Sequence, residues 1–126
     1  MSAAHFNAHE ADAHIMWKKD VLEVGQWTES LGFIAEELGL LIALAERYPK
    51  NSDLRSRLEE KRRKNTFLSG ELFRYGNTLK NALECDDLAC DTYYLDNHEQ
   101  QRIVHLEHLK GYRKLKIELY TKMLEG

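Results

Sequence analysis

Proline occurs once in this sequence, at position 49, and no stretch is rich in glycine, serine or proline. A chain so short of helix breakers has little material for a linker or for strand-and-turn architecture, so strands are not expected. Long hydrophobic runs are missing too: the longest, 38–45, is about one third of what a membrane-spanning helix needs. The N-terminus lacks the basic start and apolar stretch of a signal peptide, and a cytoplasmic location is the expectation. Positive charge is not in excess. A formal net charge of -3 argues against a surface built to displace counterions from nucleic acid. The one basic cluster, Lys61 to Lys64, directly follows Glu59 and Glu60 and reads as a solvated helix face.

Motifs of catalysis are absent as well. No serine or cysteine stands in a nucleophile elbow, and no glycine-rich loop could cradle a phosphate, so an enzyme is the less favoured class. The two cysteines, Cys85 and Cys90, are five apart, whereas zinc-binding pairs usually stand two to four apart and come in two sets. A metal ligand pair or a labile disulfide is conceivable there; the plainest reading is two small residues in a tight connection.

What is present is helix-forming material. Apolar residues make up 43% of the chain, enough for a core, and charged residues 31%, enough to keep it in water. With 126 residues one domain is expected, spanning 1–126. Asn7 with Glu10 resembles a capping box and predicts a first helix over 8–48. Trp17, Val24, Leu31, Leu38 and Ala45 recur every seven residues there, beside a second row of Trp27, Ile34, Leu41 and Tyr48. Pro49 stops it, and Asn51 and Ser52 cap a second helix over 52–84 carrying Leu54, Leu58, Leu68, Leu72, Tyr75, Leu79 and Ala82. Asp96 with Glu99 predicts a third helix over 96–124, with Tyr112, Leu115, Leu119 and Met123 on its buried side. Short connections force antiparallel neighbours, giving an all-α, up-down-up bundle of three long helices. A break at Gly25 would convert it to a four-helix bundle.

In that topology the first and third helices start at the same end, which gathers all six histidines. His98, His105 and His108 fall on the side assigned to the core, where apolar residues are expected. Asp20 interrupts an apolar row of the first helix, Glu23 lies close to the same face, and Glu71 flanks the seam of the second helix. Imidazole with carboxylate suits iron, zinc or another transition metal, and His98, His105, His108, Asp20, Glu23 and Glu71 are the candidate ligands. The Glu-x-x-His pairs of di-iron bundles are nevertheless missing. Ile103, Leu106 and Leu109 form a competing apolar stripe; if that one is buried, His105 and His108 turn toward water, and the plainer outcome is that or histidines merely hydrogen-bonded inside. His5, His9 and His14 are accounted for by an ordinary solvated helix start. Tyr75 and Tyr112 could face a pocket with the histidines, but aromatic residues on a seam are usually core.

Lys61 and Asn65 interrupt the second helix's seam, as residues that fix register or oligomeric state do. Phe33, Leu40 and Leu44 widen the first helix's stripe beyond what one intramolecular groove needs. The leading expectation is therefore a non-catalytic bundle that acts by association, as a homodimer through that surplus face or with a protein partner. The competing expectation is a metal site inside the bundle.

Overall fold

The structure is a computed structural model that describes residues 2–48, 51–84 and 87–126; the side chains of residues 2–11 and of residue 80 are outside the description. It contains helix α1 (Ser2–Arg47), helix α2 (Ser52–Leu79) followed by a short 3-10 turn (Lys80–Glu84), and helix α3 (Leu88–Glu125), with no strand among the described residues. Pairings along the helices define the topology. Going up α1, Glu23 meets Arg102 and Glu37 meets Lys116, so α1 and α3 are parallel. Asn65 bonds the carbonyl of Leu31, Trp17 that of Leu79, and Arg57 meets Glu118, so α2 runs against both. The up-down-up, all-α bundle is the observed architecture, and no helix is long and apolar enough to cross a membrane.

Helix boundaries depart from the expected ones in four places. First, α1 begins at Ser2 rather than at 8, because Ser2, Ala3 and Ala4 have no helix-breaking character. Second, it passes through Gly25 unbroken, which removes the four-helix alternative. Gly25 faces open space, and its cost of about 1 kcal/mol is small beside the packing of Val24 and Trp27 on either side. Third, α2 ends at Leu79 rather than at 84: the Trp17 indole N–H donates to the Leu79 carbonyl at 2.9 Å, occupying an acceptor the next helical turn would use. Fourth, α3 starts at Leu88, eight residues before 96. Asp87 is its N-cap, in an extended conformation with its side chain accepting the Cys90 amide at 2.7 Å. Asp96 and Glu99 lie inside that helix. Asn51 caps α2 as expected, accepting from the Leu54 amide at 3.0 Å.

The core follows the seven-residue rows. Leu31, Ile34, Leu38, Leu41 and Ala45 of α1 are buried, and so are Leu54, Leu58, Leu68, Leu72, Tyr75 and Leu79 of α2 and Tyr112, Leu115 and Leu119 of α3. Tyr48, predicted at the end of a row, is exposed. Toward the α1–α2 connection this core is entirely aliphatic. At the opposite end it changes character, and His98, His105, His108 and Asn65 are all buried. The stripe of Ile103 and Leu106 is the one left in solvent, with Leu109 partly covered.

Candidate functional site

His98 is the centre of the polar end. It sits one heptad before His105 on the inner face of α3, only 3% exposed, with the Trp27 indole stacked on its ring at 5.1 Å between centroids. Its two nitrogens face different partners. Tyr75 Oη lies 2.5 Å from Nδ1, and Nε2 lies 2.8 Å from Glu23 Oε1 and 3.3 Å from Asp20 Oδ1. Burial, reinforced by the negative charge of Asp20, pushes the Tyr75 phenol well above its ordinary value. A carboxylate only accepts, so Nε2–H donates to Glu23, and in that tautomer of the neutral ring Nδ1 accepts from the Tyr75 hydroxyl.

The two carboxylates are tuned in opposite directions. Arg102 donates to both Glu23 oxygens, from Nε at 3.0 Å and from a terminal nitrogen at 2.6 Å, and also pairs with Glu99. That forked pair, with smaller help from His98, holds the Glu23 carboxyl below its usual range. Asp20 has no such partner; burial raises its carboxyl, against the opposing pull of His98. A carboxylate, a half-buried acid, an imidazole and a phenol thus stand in one chain from α1 through α3 to α2.

Of the six candidate ligands, three come together: one donor atom from each of Asp20, Glu23 and His98 lies within 4.8 Å of the others. His105 is one turn-pair further along, stacked on the other reach of Trp27 at 5.6 Å, and burial lowers its basicity. His108 belongs to a separate network. Its Nε2–H donates to Asn65 Oδ1 at 2.8 Å while Asn65 donates to the Leu31 carbonyl at 2.9 Å. Burial, with Lys61 nearby, pulls His108 down to about 4. Its Nδ1 and the Tyr112 hydroxyl are buried without a hydrogen-bond partner among the described residues. Glu71 pairs instead with Arg74, three residues on along α2.

Two members are outside the candidate ligand set. For Tyr75 the position beside the histidines is the less favoured of two sequence readings, because a seam position says nothing about where its hydroxyl points. Arg102 carried only a weak signal, its i+4 spacing from His98. His14, exposed, stacks on Trp17 at 5.9 Å; the side chains of His5 and His9, and Cys85 of the cysteine pair, lie outside the described residues.

Two concavities border this region. A cleft of about 300 Å³ opens beside Asp20 between the early turns of α1 and α3. A shallower groove of about 430 Å³ runs between α1 and α3 along Phe33, Ile34, Leu109 and Tyr112. No protein-family description, curated protein or solved structure matches the chain.

Proposed function

We propose that the chain is a non-catalytic helical bundle that works by associating with a second copy of itself through the outer face of α1 and α3. The carrying observation is the apolar surface left uncovered there. Ile15, Leu22, Phe33 and Leu40 fall within about 20° of one another around α1 at ~100° per residue, and all are exposed. Leu44, the third residue expected in this surplus face, is drawn partly into the core. On α3, Leu106, Ile117, Tyr120 and Leu124 occupy the side opposite His108, Leu115 and Leu119 and are likewise exposed. Phe33 of the α1 row lines the groove between α1 and α3, opposite the partly covered Leu109 of α3.

Magnitudes support closure by a partner. The chain exposes 8916 Å², against roughly 7,000 Å² for a compact monomer of this mass. A standard interface of ~1,600 Å² in total takes about 800 Å² from each copy, so one such contact would remove under half of that excess. Charge is suited to a self-complementary pairing, with Glu29 and Glu37 beside the groove on α1 and Arg113 in the exposed row of α3. Sedimentation or light scattering at low micromolar concentration tests this: a dimer is expected, with Phe33→Glu/Leu40→Glu monomeric and still helical. A wild-type chain that stays monomeric removes the proposal.

A second reading rests on the convergence of Asp20, Glu23 and His98, a donor set that suits zinc or iron. A metal would take the Nε2 lone pair, moving the imidazole proton to Nδ1, where the Tyr75 oxygen is placed to accept it. Elemental analysis of untagged protein, compared with His98→Ala, checks it: stoichiometric metal lost in the variant supports the site.

A further inference from the structure

The cleft beside Asp20 shares that one residue with the metal reading, but its apolar walls and its other acids, Asp12 and Asp91, are used by neither reading. Its sides are apolar and aromatic, from Met16 and Trp17 on α1 and from Leu88, Tyr94 and Leu95 on α3, yet its charged lining is wholly acidic: Asp12, Asp20 and Asp91, with no lysine or arginine. Asp91 has an independent reason to be there, because an acid in the first turn favours the helix dipole. Asp12 and Asp20 have none. Asp20 in particular is half-buried at the inner side of the cleft with one 3.3 Å contact, to His98, because Arg102 is committed to Glu23 and Glu99. The Trp17 wall is fixed in place by its bond to the Leu79 carbonyl, so the shape exists before any ligand arrives.

We propose that this cleft binds a small organic ammonium ion with an apolar or aromatic body, its nitrogen on Asp20 and its body between Trp17 and Tyr94. A volume of about 300 Å³ is at the lower end of small-molecule pockets, enough for one ring and a short chain. The walls decide between an organic cation and a bare metal ion. A metal needs several donor atoms converging from the space it occupies, whereas most of this surface offers carbon; a cation that carries its own apolar body matches both parts.

Calorimetric titration of the full chain with 2-phenylethylammonium, 2-phenylethanol and 3-phenylpropionate tests this. Saturable binding of the ammonium is expected, at least about tenfold weaker binding of the alcohol, and none of the carboxylate. Asp20→Asn should abolish ammonium binding. Leu95→Lys, which places a cation at the half-exposed wall, should do the same without touching the acid, and remains informative if Asp20→Asn misfolds. The proposal is overturned if the alcohol binds as well as the ammonium, if the variant or variants that fold keep ammonium binding, or if zinc ion binds while the ammonium does not.

Discussion

The two halves of this core are built on opposite principles. Near the α1–α2 connection Leu38, Leu41, Leu54, Leu58 and Leu119 are at most 1% exposed and fill the space between the helices with hydrocarbon alone. In the other half Trp27 packs against His98 and His105, Tyr75 against His98, and Asn65 bonds His108. Burying a leucine contributes about 1.5–3 kcal/mol, while a buried polar atom without a partner costs about 1–3 kcal/mol. The first half is therefore where stability comes from, and the second, with His108 Nδ1 and the Tyr112 hydroxyl unpaired, is where stability is given up for a defined arrangement of polar groups.

The largest test of that contrast is truncation. Leu58→Ala in the aliphatic half should cost ~2–5 kcal/mol in urea unfolding, since the surrounding helices collapse only partly into the cavity. Acid should act on the other half through His108. His108 is held at about 4, below its unfolded value, so the unfolded chain binds the extra proton first. The stability it contributes is intact above pH ~6.5 and is lost as pH falls toward 4, by up to roughly 3 kcal/mol. Comparing wild type with His108→Leu over that range isolates it: the variant should lose less, and equal losses would assign the acid sensitivity elsewhere.

Smaller effects sharpen the comparison. Asn65→Ala strands the His108 N–H and removes the second bond to the Leu31 carbonyl, which keeps its acceptor role within α1, and a loss of ~1–3 kcal/mol is expected. Asn65→Leu/His108→Leu removes two of these polar groups together and should recover most of that loss, read as a coupling energy in a double-mutant cycle. Least of all, Arg102→Gln should cost about 1 kcal/mol or less, because the arginine is one-third exposed and screened by water. Its clearer signature is a rise in the Glu23 carboxyl, visible by NMR titration.

The aliphatic half was legible from the residues alone, because a seven-residue recurrence of Leu, Ile and Ala leaves one side for each helix to bury. Ile103 and Leu106 made the third helix ambiguous: α3 is apolar on two opposite sides, and only the partners of Trp27 and Asn65 decide that the histidine side turns inward. Periodicity likewise put Asp20, Glu23 and His98 at one level. It could not separate His108 from them, since that separation depends on Asn65 reaching across from α2. Helix ends were the least legible part, because the stop at Leu79 is made by Trp17, 62 residues away, and the start at Asp87 by one side chain in a loop with several equivalent acids.

Trp27 has one more consequence. Its indole lies against two imidazoles at once, 5.1 and 5.6 Å away, so a proton arriving on His105 places positive charge beside the fluorophore. With Trp17→Phe removing the second source of emission, the molecule carries its own optical gauge of the histidine layer.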